Sequence, residues 1–383
     1  MTIPLSSKLP RVGTTIFTVM SRLAAECGAI NLSQGFPDFD PPKKLVDLVA
    51  GHMREGHNQY APMAGWPALR QEIARKVREY CGATIDAATD VTVTSGGTEA
   101  LFAAVQAVVR PGDEVIVLDP AYDSYEPAVE LAGGVAAHVP LRRPDFAVDW
   151  DRVRDAITPR TRMLIVNSPH NPSGAVFSEA DLTALAEVLR GTGAFVLSDE
   201  VYEHMVFDGR THLSLLGHPE LAARSFVVSS FGKTFHATGW KVGYCVAPAP
   251  LTAEFRKVHQ FVQFAVATPM QAAIADFLLE CPEHARDLPA FYQRKRDYFA
   301  AALAQTRFRF LPSRGTYFQI ADYSALSELP DVEFARWLTR KAGVAVIPIS
   351  VFSVRPPAER VVRFCFAKHD ATLDAAAERL RQL

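Results

Sequence analysis

One lysine stands in an unusual place for a charge. Lys233 lies in the run SSFGKTFHATGWKVGY, residues 229–244, between two short apolar stretches that are expected to form buried strands. Most lysines lie on the surface, so a solvated turn residue is the ordinary explanation. A desolvated amine, however, can attack a carbonyl carbon. If other residues support it, the segment predicts that Lys233 carries an aldehyde cofactor as a Schiff base.

Two polar segments could bind the phosphate of such a cofactor. The run TSGGT, residues 94–98, ends a predicted strand and begins a predicted helix, so its backbone N–H groups and the helix dipole suit an anion. Ser230 and Lys241, on either side of Lys233, can reach the same group. A glycine-rich turn without a ligand explains residues 94–98 equally well. The run lacks the GxGxxG and Walker spacings of dinucleotide and ATP sites.

Three further loops carry groups that a pyridine ring would need. Tyr122 can stack on a flat ring, although a core tyrosine is the simpler explanation when it is taken alone. Asp199 follows an apolar stretch and can keep a ring nitrogen protonated, which makes the ring an electron sink. Tyr202, three residues later, falls on the same side and could bond a phenolic oxygen. The loop NSPHNPSG, residues 167–174, is stiffened by its prolines and can fix the amide of Asn171.

The elements that must position these groups indicate an α/β fold. From residue 90 onward, short apolar strands alternate with helices, which predicts a mainly parallel seven-stranded sheet flanked by helices. Ligands bind at the carboxyl ends of the strands in such sheets, where the candidate groups lie. The predicted strands are residues 91–94, 114–118, 135–139, 163–166, 194–198, 226–229 and 242–246.

The chain of 383 residues is long enough for one large and one smaller domain. We expect residues 46–280 to form the large α/β domain. Residues 1–45 and 281–383 are expected to form a smaller α+β domain. The first 45 residues are expected to be irregular, apart from a short helix at 20–25.

Composition argues against several classes of function. The net charge of −2, without a basic stripe, argues against a nucleic-acid partner. No run approaches the roughly 20 apolar residues of a membrane span, and no secretory signal is recognised. The five cysteines are scattered and form no CxxC or His/Cys cluster, so no metal site is expected. We interpret them as reduced core thiols of a cytoplasmic protein.

Together, these segments resemble those of fold type I pyridoxal-phosphate enzymes, specifically the class I/II aminotransferases. The resemblance covers essentially the whole chain, and its most specific marks are HNPSG at 170–174, SDEVY at 198–202 and SSFGKTF at 229–235. The runs LSQGFPDF, NQYAP, GWKVGYCVAP and VRFCFAK are similar to those of methionine aminotransferases and kynurenine (glutamine-type) aminotransferases. The resemblance implies pyridoxal 5'-phosphate as cofactor and a homodimer with shared active sites.

The resemblance also implies how the cofactor is held. Lys233 would bind it covalently and then move a proton between the substrate Cα and the cofactor. Asp199 would pair with the ring nitrogen, Tyr202 and Asn171 would bond the ring oxygen, and Tyr122 would stack on the ring. The residues implied to hold the phosphate are Gly97, Thr98, Ser230 and Lys241, with Tyr60 from the partner subunit.

For the substrate, the resemblance implies that Arg363 grips the carboxylate as a two-pronged donor, helped by Asn171 and the Gly35 backbone. Without the resemblance, Arg363 would be an ordinary strand arginine. Three phenylalanines lie in segments that resemble pocket-lining segments of the family, although core packing explains them equally well. They are Phe17, Phe264 and Phe352.

The predicted reaction is transfer of the α-amino group from a neutral L-amino acid, such as methionine, an aromatic amino acid or glutamine, to a 2-oxo acid. Thioether and aromatic side chains both pack well against phenylalanine rings. No counterpart is recognised of the second arginine that dicarboxylate-specific relatives use. A carbon–sulfur β-lyase acting on cysteine conjugates would use the same residues. A non-catalytic cofactor-binding regulator is the other alternative, although no DNA-binding segment is recognised.

Overall fold

The structure is a computed structural model that describes residues 5–356 and 359–383. Most of the predicted strands are confirmed to within two residues at each end. The strands in the described residues are β1 (Ile30–Asn31), β2 (Val91–Thr94), β3 (Glu114–Asp119), β4 (Val135–Pro140), β5 (Thr161–Asn167), β6 (Phe195–Asp199), β7 (Ser225–Ser230), β8 (Gly243–Val246), β9 (Phe318–Asp322), β10 (Val344–Ala345), β11 (Ile347–Pro348) and β12 (Val361–Cys365).

Helices connect most of these strands. Within the described residues, none is long and apolar enough to cross a membrane. The α-helices are α1 (Ile16–Cys27), α2 (Lys43–Arg54), α3 (Pro67–Cys81), α4 (Gly96–Val108), α5 (Tyr125–Leu131), α6 (Trp150–Ala156), α7 (Glu179–Leu189), α8 (Pro219–Ala222), α9 (Phe231–Thr234), α10 (Ala249–Val262), α11 (Thr268–Glu280), α12 (Pro282–Leu303), α13 (Asp331–Lys341) and α14 (Asp370–Arg381).

The prediction of a mainly parallel seven-stranded sheet is confirmed. The strand order is β2-β8-β7-β6-β5-β3-β4, and only β8 runs antiparallel to its neighbours. Its central strands are buried on both faces, as their continuous apolar runs require. In β7, Val227 packs into the core on one face of the sheet, whereas Phe226 and Val228 pack into the core on the other. Helices α3, α7 and α11 contribute to the first core, and α4, α5 and α10 to the second.

A third core joins residues from both ends of the chain. Met20 of α1 and Leu32 pack in the same cluster as Phe334 of α13 and Val362 of β12. Strand β1 pairs in parallel with β10, and β11, β12 and β9 form an antiparallel sheet beside it. The division into domains at residues 45 and 280 stays a prediction. Residues 1–4 and 357–358, which it assigns to the smaller domain, lie outside the described residues.

Two expectations about the chain are wrong. The first 45 residues are not largely irregular, because α1 has twelve residues and α2 begins at Lys43. Thr15 begins α1 by accepting a hydrogen bond from the Thr18 backbone N–H, and Gly28 ends it in the left-handed conformation. All five cysteines are free, but they are not all core thiols, since Cys27 is exposed.

Candidate active site

A cavity of about 180 Å³ lies at the carboxyl ends of the central strands and brings together groups from five separate loops. It collects most of the residues predicted to hold a cofactor. Residues of the cavity that were not predicted are Gly96, Leu101, Asn167, Val201 and Thr238. The predicted residues that line it are Gly97, Thr98, Tyr122, Asn171, Asp199, Tyr202, Ser230, Lys233 and Lys241.

One end of the cavity is built to hold an anion. Helix α4 begins there, so its first backbone N–H groups face the cavity without partners in the preceding turn. Gly96 has a φ of +74°, and a Cβ at that position would lie 3.3 Å from the Lys241 Nζ. A Cβ at Gly97 would lie 3.0 Å from the Val201 side chain. These two glycines therefore let an ammonium group and a helix N-terminus meet, which is the chemistry of a phosphate site.

The other end of the cavity presents a buried carboxylate. Asp199 ends β6 and accepts a hydrogen bond of 2.6 Å from the Tyr125 hydroxyl. The Asn167 amide donates to the Asp199 backbone carbonyl at 2.7 Å, which fixes the strand end. Burial raises the pKa of Asp199 to about 6, against the opposing effect of the Tyr125 hydrogen bond. The group is ionised at neutral pH, and a cationic partner such as a pyridinium would relieve the cost of burying it.

Lys233 lies in α9, directly after β7. Its Nζ donates a hydrogen bond of 3.0 Å to the Tyr317 hydroxyl, which in turn donates to the Gly35 carbonyl at 2.5 Å. Desolvation and, after it, the positive charge of Lys241 lower the pKa of Lys233 to about 8. At pH 7 about a tenth of such amines are neutral, compared with roughly one in 3,000 for an ordinary lysine. Lys233 is therefore prepared to act as a nucleophile and a base.

Arg363, in the middle of β12, is fully buried. One of its terminal nitrogens donates to the Asn171 side-chain oxygen at 2.6 Å and the other to the Ser33 carbonyl at 3.1 Å. Its Nε has no hydrogen-bond partner among the described residues. Because a buried N–H without a partner costs about 1–3 kcal/mol, an acceptor is expected to bind there. A carboxylate satisfies a guanidinium with two parallel hydrogen bonds.

Aromatic rings surround this guanidinium. The ring of Phe318 lies 3.8 Å from the Arg363 Cζ, and the rings of Phe17 and Phe352 lie 5.4 and 5.7 Å away. The structure thus brings two of the three predicted pocket phenylalanines next to the carboxylate site. Gly35 lies against the same wall, since a Cβ there would come within 2.7 Å of Phe318.

Six predicted residues do not line the cavity of about 180 Å³. Four of them lie around the guanidinium just described, namely Arg363 itself, Gly35, Phe17 and Phe352. The other two lie apart from both. Tyr60 is 84% exposed and Phe264 is 44% exposed. Their rings contact each other edge to face, with centroids 5.2 Å apart. The single chain therefore does not bring these two side chains into the site.

Sequence reasoning missed three groups that touch the site. Tyr125 and Asn167, which hold Asp199, lie in the two loops already singled out around Tyr122 and Asn171. The spacing of side chains along those loops was therefore an available signal. Tyr317 had no local signal, because it reaches Lys233 from 84 positions away in the chain.

Sequence reasoning also missed an ion pair behind the cavity. The Nζ of Lys76, in α3, lies 2.5 Å from the Glu203 carboxylate. Glu203 also accepts from the Ser229 hydroxyl, and Lys76 also contacts the Tyr244 hydroxyl. Burial opposes both charges, yet the attraction between them lowers the pKa of Glu203 to about 2 and raises the pKa of Lys76. Since Glu203 follows Tyr202 and Ser229 precedes Ser230, the pair anchors two cavity segments.

Comparison with known proteins agrees with this geometry. Residues 28–380 match the family model described as aminotransferase class I and II. The chain is 56% identical to methionine aminotransferase of Escherichia coli over 98% of both chains. It is 43% identical to a probable N-succinyldiaminopimelate aminotransferase of Mycobacterium tuberculosis over 98% of both. It is 36% identical to human kynurenine–oxoglutarate transaminase 1 over 94% of both.

A solved structure is similarly close. A crystal structure from Escherichia coli, reported with a methionine aminotransferase function, superimposes with a TM-score of 0.98 at 55% identity and covers 100% of both chains. The predicted fold and the predicted family resemblance are confirmed.

Proposed function

The chain belongs to the class I and II aminotransferases, which have fold type I, and from this premise we propose that it moves the α-amino group of a neutral L-amino acid, methionine first of all, to a 2-oxo acid. The observation that carries the proposal is the buried guanidinium of Arg363, which has aromatic rings around it and an Nε that no described residue pairs with. The relatives are transaminases, so the β-lyase and regulator alternatives are not favoured.

Aminotransferases of this family depend on pyridoxal 5'-phosphate, and the donor set of the cavity fits that cofactor. When bound, the cofactor supplies an electron sink for the charge left on the substrate Cα. Lys233 would hold its aldehyde carbon, Asp199 its ring nitrogen and Tyr122 its ring face. The remaining residues are proposed to bind its oxygens, with Tyr202 and Asn171 at the ring oxygen and Gly97, Thr98, Ser230 and Lys241 at the phosphate.

The chain's own residues would then move protons and orient the substrate. Lys233, with a pKa of about 8, can take a proton from the substrate Cα and give it back near neutral pH. The Tyr317 hydroxyl, which also bonds Gly35, restricts the position of that amine. Asp199, oriented by Tyr125, keeps a negative charge opposite the ring nitrogen. Fixed charges of this kind stabilise developing charge without reorganising.

Substrate preference would follow from the surroundings of Arg363. Its guanidinium binds the α-carboxylate, and the Asn171 side chain holds the guanidinium in place. The rings of Phe17 and Phe352, 5.8 Å apart, would contact the substrate side chain. Thioether and aromatic groups gain favourable contacts with ring edges, whereas a charged side chain would lose its hydration there.

Tyr60 and Phe264 support a homodimer. These two large rings form an exposed aromatic pair on the single chain. We propose that a second copy covers them, so that Tyr60 reaches the partner's phosphate site and Phe264 the partner's substrate pocket. The five free cysteines fit the reducing conditions of the cytoplasm, where we propose that the protein acts.

A panel of amino donors against several 2-oxo acids, monitored by new amino acid formed, tests the proposal. Methionine and aromatic donors are expected to give the highest kcat/KM. The variant Arg363→Ala is expected to lower kcat/KM for every donor, by roughly 10- to 150-fold if charge-assisted hydrogen bonds are lost. Arg360→Ala is the matched control, because that arginine lies beside Glu328 near the surface.

Two results would contradict the proposal. If Arg363→Ala weakened a single donor only, this arginine would read the side chain and not the carboxylate. If a cysteine conjugate gave pyruvate while no donor gave a new amino acid, elimination would be the main activity. The variant Phe352→Ala, by contrast, should change the order of kcat/KM among the amino donors. Every donor should still depend on Arg363.

A further inference from the structure

A compact group of histidines lies at the end of α2. His52 is in the last turn of this helix, Glu55 follows the helix directly, and His57 comes two residues later. The two Nδ1 atoms of His52 and His57 are 2.8 Å apart, and a Glu55 carboxylate oxygen is 3.9 Å from the His52 Nδ1. One nitrogen or oxygen from each of the three residues lies within 4.8 Å of the others.

A carboxylate from another helix orients the first histidine. The Nε2 of His52 lies 2.8 Å from the Asp276 carboxylate of α11. Since a carboxylate accepts hydrogen bonds, His52 carries its proton on Nε2, and its Nδ1 accepts a hydrogen bond from the Nδ1–H of His57. An ion bound to both Nδ1 atoms would replace this proton, which His57 would carry on its Nε2 instead. Metal-binding histidines show this same arrangement, in which the second ring nitrogen donates to a carboxylate.

The second histidine is also held in place. Its backbone N–H donates to the His52 carbonyl at 3.0 Å, and its ring packs against Trp66 with centroids 5.4 Å apart. Gly56 has a φ of +95°, which lets the chain turn back on the helix end so that the two imidazoles meet edge to edge through their Nδ1 atoms, with centroids 4.9 Å apart. The backbone conformation therefore holds the two histidine side chains together.

We propose that His52, Glu55 and His57 bind a divalent transition-metal ion of the Zn²⁺ type. In a tetrahedral site with bonds of about 2.0–2.1 Å, neighbouring ligand atoms lie roughly 3.3 Å apart. The two Nδ1 atoms need to separate by roughly half an ångström. The Glu55 oxygen needs to approach His52 by a similar distance, and to approach His57 by at most about 1.5 Å. Glu55 can do so easily, because its side chain is 68% exposed.

Charge and access favour a cation at this point. The C-terminal end of a helix carries the negative pole of its dipole, and the site lies at that end of α2. A cavity of about 280 Å³ opens beside His52, Glu55 and Asp276 and gives an ion a route from solvent. Lys44 also lines that cavity, but its ammonium is paired with Glu280 at 2.7 Å.

The site departs from the sequence analysis, which expected no metal. The spacing H-x-x-E-x-H spans a helix end, so neither helical nor strand periodicity aligns the three side chains. Imidazole and carboxylate ligands together suit Zn²⁺, Co²⁺, Ni²⁺ and Cu²⁺ better than Mg²⁺ or Ca²⁺. A bound ion would fix the beginning of the segment that carries Tyr60, three residues beyond His57.

Binding is measured on the holoenzyme after dialysis against a chelator, by calorimetric titration with Zn²⁺. A parallel titration uses Co²⁺, whose visible ligand-field bands report tetrahedral nitrogen and oxygen ligands. One ion per chain is expected. The variants His52→Gln and His57→Gln are expected to remove the site, and Asp276→Asn to weaken it about 10- to 100-fold. The control His369→Gln changes an exposed histidine and is expected to leave binding unchanged.

The binding readout does not depend on the transamination proposal. Glu55→Gln changes an exposed side chain without disturbing the fold and is expected to weaken Zn²⁺ binding, so it tests the site even if a histidine variant unfolds. The proposal is overturned if the wild-type chain takes up no stoichiometric Zn²⁺. It is equally overturned if folded His57→Gln or Glu55→Gln protein binds Zn²⁺ as tightly as the wild type.

Discussion

Two lysines near the cavity are both desolvated, yet their pKa values shift in opposite directions. Lys76 contacts Glu203 at 2.5 Å, and its pKa is raised. Lys233 has no carboxylate within ion-pair distance among the described residues, and its pKa falls to about 8. Desolvation is the largest effect on both, and it favours the neutral amine in each case.

The difference shows that the group in contact with a desolvated lysine decides whether its amine stays protonated. Behind the cavity, a carboxylate in contact compensates for lost hydration and fixes a charged pair that holds two chain segments. Inside the cavity, Lys233 meets a neutral hydroxyl and the positive Lys241, so its proton is weakly held. Lys76 therefore stays charged and ties two chain segments together, whereas Lys233 can lose its charge, as the chemical role proposed for it requires.

The largest effect is expected from removing the chemical lysine. Lys233→Ala should lower amino transfer by about 10³-fold, because it removes the amine proposed to move the Cα proton. Circular dichroism and thermal unfolding should stay close to the wild type, since Lys233 forms no ion pair that holds the fold. Lys257→Ala, a change on the exposed face of α10, is the control and should keep full activity. Substantial amino transfer by Lys233→Ala would contradict the proposed role of this lysine in the reaction.

Breaking the structural pair should affect stability first. Glu203→Gln leaves Lys76 buried without its carboxylate and is expected to cost roughly 3–5 kcal/mol in the free energy of unfolding. Urea unfolding measures it. Replacing both partners by apolar residues, as in Lys76→Met with Glu203→Leu, should cost less than the single change. If Glu203→Gln lowered the free energy of unfolding no more than the double variant, the contact with Glu203 would not be what stabilises the buried charge of Lys76.

The same pair should show a defined acid dependence. The pKa of Glu203 is about 2 in the folded chain, against an ordinary value of 4.5. The stability that the ionised Glu203 adds to the fold is therefore fully present above about pH 4.5 and is lost as the pH falls toward 2. The difference in unfolding free energy between wild type and Glu203→Gln should shrink over that interval. A constant difference from pH 6 to pH 3 would contradict the depressed pKa.

The pH at which Lys233 becomes reactive tests its lowered pKa directly. In protein freed of cofactor, trinitrobenzenesulfonate reacts with neutral amines, so labelling of Lys233 should rise with pH around a midpoint near 8. Exposed lysines should follow a midpoint near the ordinary value of about 10.4. Mass spectrometry of peptides separates the sites. A midpoint for Lys233 near that of surface lysines would show that desolvation does not act on it.

The smallest effect is expected from the neutral partner of Lys233. Tyr317→Phe removes the hydroxyl that bridges the amine and the Gly35 carbonyl. One hydrogen bond contributes about 0.5–1.5 kcal/mol, so kcat should fall by roughly 2- to 12-fold. Tyr292→Phe is the matched control, because its hydroxyl bonds His236 instead. Equal losses in both variants would indicate a packing effect only.

Much of the site could be predicted because its groups carry local signals. Most of the cofactor-binding candidates lie where an apolar strand ends in a polar loop, and parallel strands bring such ends together. Lys241 instead precedes the antiparallel β8, and Tyr60 follows no strand. The pair of Lys76 and Glu203 could not be found in this way, because 127 positions separate them and each looks like an ordinary helix or turn residue. Contacts between residues that are distant in the chain cannot be predicted from the residue pattern of either segment.

The same reasoning explains the fold. The sheet strands were predictable because continuous apolar runs are bounded by Gly, Pro and Asn. Helix α2 was missed because it lacks the usual signs of a beginning. Pro42 precedes it and makes no side-chain capping hydrogen bond, and its first turn carries two lysines and no acid.

The parallel pairing of Ile30 with Val344 has a consequence for synthesis. On the ribosome, roughly 15 to 60 s separate the appearance of these two residues at about 5–20 residues per second. The seven-stranded sheet can close before then, since its last strand ends at Val246. Throughout that interval α1 lacks α13, β10 and β11, the elements that cover most of its apolar side. A nascent chain that stalls after the sheet therefore leaves Met20 and Leu23 without the core that buries them in the folded chain.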